Sequence, residues 1–261
     1  MLAAKRIWVA IFTVLLFCNT VFASSPGKLV LIVDDLGNQY RSGVEAVSMP
    51  WVTTVAIMPG RPYTKPLAEL AFEMGKEVIV HAPMSNTIDF PLGVLGLERS
   101  QGKALMIENV RESIASVPHS VGLSNHMGSR LTQDHQAMRW LMAELKSQQL
   151  FFFDSRTVST TKAWKAAQTA RIPWAMRDYF LDHFREHEFM ASQWQEAVDR
   201  VLQGENITVI CHPYPETLDF LSNLILTQTV QDALVPLSQV LNQPNESIAP
   251  SNLRNMPEMA K

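Results

Sequence analysis

Acid, base and metal-binding side chains recur along the chain in six short groups: Asp34-Asp35, His81, Asn125-His126, Asp154-Ser155-Arg156, Arg177-Asp178 with Asp182 just beyond, and His212. Carboxylates and imidazoles move protons near neutrality and hold divalent ions. Gathered in one place, Asp34, Asp35, Asp154 and Asp178 would repel one another. Arg156 and Arg177 offset part of that repulsion, and the neighbouring histidines point to a cation that offsets the rest. One carboxylate and two imidazoles make an open site for zinc or a similar divalent ion, with positions left for water and substrate. Such an ion lowers the pKa of water and polarises a carbonyl, which is the chemistry of hydrolysis.

Strand polarity would bring the groups together. Seven apolar runs, at 29–33, 52–58, 77–80, 121–124, 150–153, 172–176 and 207–210, are rich in Val, Ile and Phe with little polar alternation. That pattern marks strands buried on both faces, hence a parallel sheet covered by helices. Amphipathic stretches at 64–74, 108–116, 134–148, 159–170, 188–203 and 218–226 read as those helices. Six of the seven runs end in one of the polar groups, always at the C-terminal end. An α/β fold follows, either a (β/α) barrel or an open doubly wound sheet, with the site at the C-terminal strand ends.

The flanks are set apart. Lys5 and Arg6, the apolar stretch 7–18 and the small-residue pattern ending at Ala23 predict a signal peptide over 1–23, and so a periplasmic or secreted protein. Residues 24–241 form one domain, and the Pro-, Asn- and Ser-rich stretch 242–261 reads as a disordered tail. Loss of 1–23 takes the formal charge from −3 to −5, which argues against nucleic acid as a partner. No later stretch predicts a stable membrane anchor. Cys18 leaves with the leader, so Cys211 has no partner for an internal disulfide and stability must come from the core.

The run Val33-Asp34-Asp35-Leu36-Gly37-Asn38 resembles the first motif of the polysaccharide deacetylases. The full set is similar to the divergent polysaccharide deacetylase family: Val80-His81-Ala82-Pro83-Met84, Ser124-Asn125-His126-Met127-Gly128-Ser129, Phe153-Asp154-Ser155-Arg156-Thr157, Arg177-Asp178-Tyr179-Phe180-Leu181-Asp182 and Cys211-His212-Pro213. The resemblance implies a distorted (β/α) barrel, here of about seven strands, that removes N-acyl groups from an envelope polysaccharide or peptidoglycan-like glycan. It implies Asp35, His81 and His126 as ligands of a divalent metal such as zinc, Asp34 as base and His212 as acid. It further implies Asp178 orienting His212, with Arg177 or Arg156 holding Asp178, and Asn125, Asp154 and Arg156 on the substrate side. An oxyanion donor is expected in the Met127-Gly128 turn. The chain departs from standard deacetylases at Ser85, where those enzymes carry a second metal histidine four residues after the first.

Two other readings compete. Without the paired histidine, the barrel can be a non-catalytic envelope protein that binds glycan or protein through a vestigial site. Separately, His183-Phe184-Arg185-Glu186-His187 matches the H-x-x-E-H pattern of inverted zinc peptidases, which requires both histidines on one helical face.

Overall fold

The computed structural model describes residues 25–243, so the expected leader and residues 244–261 lie outside the described chain. Strands and helices alternate as β1 (Leu29–Leu36), α1 (Tyr40–Ser48), β2 (Thr54–Ile57), α2 (Thr64–Glu73), β3 (Glu77–Met84), α3 (Gly102–Ser116), β4 (Ser120–Met127), α4 (His135–Ser147), β5 (Phe151–Asp154), α5 (Ala163–Ala170) and β6 (Trp174–Met176). The chain continues as β7 (Tyr179–Phe180), α6 (His187–Leu202), β8 (Ile207–Cys211), α7 (Pro215–Ser222) and α8 (Gln228–Ala233). All strand pairs are parallel, in the order β6-β5-β4-β3-β2-β1-β8-β7. Eight strands therefore stand where about seven were expected. The additional one is the two-residue β7, too short to leave a periodic signal.

The two edge strands, β6 and β7, are separated in sequence only by Arg177-Asp178. The sheet must therefore curl until its edges nearly meet. These two residues bridge the seam, with Arg177 N–H donating to Asp154 O at 3.0 Å and Asp178 N–H to Thr208 O at 3.0 Å. The result is a distorted barrel without a β6–β7 ladder.

Side-chain alternation sorts the core into two compartments. Outward-facing residues such as Leu29, Leu31, Val33 and Val55 pack under the helices. Inward-facing Val30, Ile32, Ala56, Ile79, Phe151, Phe153, Ala175 and Ile210 fill the barrel. The segment after α8 closes its N-terminal mouth. Val235 N–H donates to Leu29 O at 2.9 Å, Leu237 N–H to Thr54 Oγ1 at 3.1 Å, and Lys28 Nζ to Gln239 O at 3.1 Å. Leu237 is fully buried within the interior cluster. Asn242, expected to begin the disordered tail, instead pairs antiparallel with Trp174.

Candidate metal centre

The inward periodicity that supplies Val30 and Ile32 next supplies Asp34. Ile79 is likewise followed by His81, and Ile210 by His212. The register aligns His81 with Ser124 and Pro83 with His126, which places His126 on the interior face as well. Regular alternation would send Asp35 outward, but its φ of +60° and the register break between Val33 and Leu36 turn it back to the same rim. Both aspartates of the pair thus serve one site.

Asp35 Oδ1 lies 2.7 Å from His126 Nδ1 and 3.2 Å from His81 Nε2. One ligand atom from each of the three residues falls within 4.8 Å of the others. No N–H is directed at Asp35 Oδ1 with hydrogen-bond geometry, so this buried oxygen has no hydrogen-bond partner. The other side of His81 explains part of this. Ser124 Oγ lies 2.7 Å from His81 Nδ1 and donates to Val80 O at 3.3 Å. The hydroxyl oxygen is then the acceptor for Nδ1–H, which leaves Nε2 with its lone pair toward Asp35. Electron pairs that converge at a partly buried rim call for a cation between them, so the donor set fits a divalent ion. Burial pushes the Asp35 carboxyl up, but in their protonated forms the His126 and His81 rings outweigh it and hold it well below the usual range.

Asp34 sits beside this cluster, with Oδ2 3.8 Å from His81 Nε2 and Oδ1 buried without a partner. Burial raises its pKa, opposed by His81 and His212. On the far side, His212 Nε2 lies 3.8 Å from Asp35 Oδ2. Its Nδ1 is 3.1 Å from Asp182 Oδ1, and its backbone N–H donates to Asp182 Oδ2 at 2.7 Å. Thr217 Oγ1 donates to the same Oδ2 at 2.8 Å. Burial pulls His212 down, but Asp182, Asp35 and Asp34 raise it to about 9, so its ring is cationic at neutral pH. Phe180 and Tyr214 flank that ring at centroid distances of 5.2 and 5.4 Å.

Asp178 does not orient His212, contrary to expectation. Its Oδ2 accepts from Thr208 N–H at 2.8 Å and Thr208 Oγ1 at 2.9 Å. The physical reason is β7: Asp178 precedes that strand, level with Thr208, whereas Asp182 follows it, level with His212. Arg177 does not hold Asp178 by a hydrogen bond either. Its Nε donates to Ser155 O at 2.8 Å and its Nη2 to Arg156 O at 2.9 Å. Burial, with the charge of Arg156, lowers Arg177 to about 10, still a cation at neutral pH.

The expected substrate-side residues hold the rim together. Asn125 is fully buried, donating to Met127 O at 2.7 Å and accepting Ser155 N–H at 3.0 Å, so both ends of its amide serve the backbone. Asp154, also fully buried, accepts Arg156 N–H at 2.9 Å and Thr161 Oγ1 at 2.8 Å. Arg156 holds a left-handed backbone at φ +49° in that turn. Ser124 and Thr217 carry no sequence signal of a role, because each reaches a partner far away in the sequence, Ser124 from the neighbouring strand and Thr217 from α7.

The H-x-x-E-H segment does not form a paired ligand face. Helix α6 begins at His187, Glu186 is its N-cap residue, and His183 lies before it. His183 packs among Phe180, Phe184 and Phe189, while His187 packs on Phe220.

With this geometry in view, comparison with known proteins gives a consistent result. The sequence model described as divergent polysaccharide deacetylase matches residues 31–241. The uncharacterized protein YibQ of Escherichia coli strain K12 is 31% identical over 244 residues, covering 92% of this chain and 76% of its own. An uncharacterized protein of Haemophilus influenzae is 30% identical over 208 residues, covering 80% of this chain and 74% of its own. Two crystal structures share the fold. An uncharacterized protein from Agrobacterium tumefaciens C58 has a TM-score of 0.71 at 16% identity, covering 77% of this chain and 83% of its own. The lactam utilization protein from Thermus thermophilus has a TM-score of 0.54 at 15% identity, covering 80% of this chain and 98% of its own.

Proposed function

The chain belongs to the divergent polysaccharide deacetylase family, and from that premise we propose that it is a metal-dependent hydrolase removing N-acyl groups from an envelope polysaccharide. The observation that carries the reading is the convergence of Asp35 Oδ1, His81 Nε2 and His126 Nδ1 between a buried carboxylate and a partly buried, carboxylate-held imidazole. A divalent ion such as zinc, held by Asp35, His81 and His126, supplies Lewis acidity toward the acyl carbonyl and toward water. Asp34, with an uncommitted oxygen and a raised pKa, takes the proton from the attacking water. A C–O bond forms to the acyl carbon, the C–N bond breaks, and His212 gives its proton to the departing amine. Asp182 fixes the His212 ring in the orientation that permits this. Backbone N–H groups in the Met127-Gly128 turn are the candidate donors to the developing oxyanion.

Ser85 motivates the vestigial-site alternative; what favours the catalytic reading is that His126, on the adjacent strand, offers a second imidazole beside His81. An exported location is part of the proposal, in keeping with the leader-like residues 1–23. No helix among the described residues is long and apolar enough to cross a membrane. The test is zinc content beside release of acetate from N-acetylated glycans. Wild type is expected to hold about one ion per chain and to deacetylate. A wild-type protein that takes up no metal from zinc-containing buffer overturns the reading.

A further inference from the structure

We propose that Arg61 forms an anion subsite beside the metal centre and selects glycans that carry a carboxylate near the reacting acyl group. This deepens the deacetylase reading and rests on it for the glycan as ligand. Arg61 lies in the β2–α2 loop against the loop that follows Asp34-Asp35. A Cβ at Gly37 would come within 3.3 Å of the Arg61 Cβ. The guanidinium lies against the backbone of the β3–α3 loop, where a Cβ at Gly93 would meet Nη2 at 2.8 Å and Nη1 at 3.3 Å. Two glycines, both with positive φ, thus leave the space this side chain fills.

The Arg61 charge is half-buried and uncompensated. Its Nε is buried with no hydrogen-bond partner, and no ion pair forms on it among the described residues. Other arginines at this end are engaged: Arg130 with Asp89, Arg99 with Asp134, Arg177 with two carbonyls. Its surroundings reinforce the positive potential. Helices α1 and α2 direct their N-termini to this rim with no acid in the first turn of either, and Arg41 and Lys65 lie exposed in those turns. Tyr40 and Tyr63, paired at 5.5 Å, add ring surface between the two helix starts. A planar fork of donors matches a sugar carboxylate. In a protein of net negative charge, this patch would draw an acidic glycan that the rest of the surface repels.

The experiment measures binding by calorimetry to two probes. One is the disaccharide of N-acetylglucosamine and N-acetylmuramic acid, and the other is the same disaccharide with its lactyl carboxylate reduced to the alcohol. Wild type is expected to prefer the carboxylate form by about tenfold to a hundredfold, the scale of a charge-assisted hydrogen bond. Arg61→Gln should abolish the preference and Arg61→Lys should restore part of it, each with a melting temperature near wild type. Equal affinity for the two probes in wild type, or no binding of either, overturns the subsite. Acetate release from the same probes separates the two ideas. A preference without turnover leaves the subsite and removes the deacetylase reading, whereas equal turnover of both forms does the reverse.

Discussion

Asp182 grips His212 at two points, accepting the backbone N–H on one carboxylate oxygen at 2.7 Å and facing the ring Nδ1 with the other at 3.1 Å. One residue thereby fixes both where the strand end lies and how its imidazole turns. In the metal-free protein His212 should titrate near 9, and Asp182→Asn should move its NMR titration toward the ordinary value of roughly 6.5. A folded pKa above the unfolded one stabilises the fold fully below pH 6.5 and loses that contribution as pH rises through about 9. The stability gap between wild type and Asp182→Asn should shrink over that window. Asp178→Asn, at the other end of β7, should leave the His212 titration unmoved.

Ser124 sets the tautomer of His81. Ser124→Ala removes the acceptor for Nδ1–H and should weaken zinc binding by about tenfold to a hundredfold. Competition with a chromophoric chelator measures this, and wild-type affinity in the variant would refute the tautomer argument.

Asp34 and Asp35 should separate metal binding from proton transfer. Asp35→Asn, His81→Ala and His126→Ala are each expected to lose the ion by elemental analysis. Asp34→Asn is expected to keep it while acetate release falls by about 10²- to 10⁴-fold, the usual worth of a general base. Loss of metal in Asp34→Asn would make Asp34 a ligand instead.

Leu237 plugs the barrel floor from outside the sheet. Leu237→Ala should destabilise the protein by about 2–5 kcal/mol in urea denaturation. Zinc stoichiometry should be unchanged, because the plug and the metal cluster occupy opposite mouths.

The strand tips are legible in the sequence because a parallel strand buried on both faces is an apolar run, and a polar residue directly after it must surface at the C-terminal mouth. Asp34, His81 and His212 follow that rule, His126 lies one residue further on, and Asp35 joins them through its positive φ. The rule fails where residues meet across strands. Asp182 finds His212 thirty positions away, and nothing local separates it from Asp178 until the two-residue β7 between them is recognised. Asn125 and Asp154 obey the rule in sequence yet turn to backbone partners, because tight left-handed turns at Met127 and Arg156 need side-chain acceptors and donors to hold them. Helix α1 is amphipathic, but it spans only nine residues and its internal Gly43 lowers its helix propensity, which hides it in the sequence. That glycine lets Leu67 of α2 approach, where a Cβ would meet its side chain at 2.4 Å.

The floor segment also dictates an order of assembly. Lys28 bonds to Gln239 across 211 positions, and Leu237 to Thr54 across 183. A chain that emerges N-terminus first can pair β1 with β2 and β2 with β3 early, yet β1 waits for β8 and the floor waits for the residues after α8. Until then the interior apolar cluster stands open at its base, a state prone to aggregation. The last stretch of the described chain thus acts as a completion signal: only a chain finished to about this point can seal the barrel that carries the site.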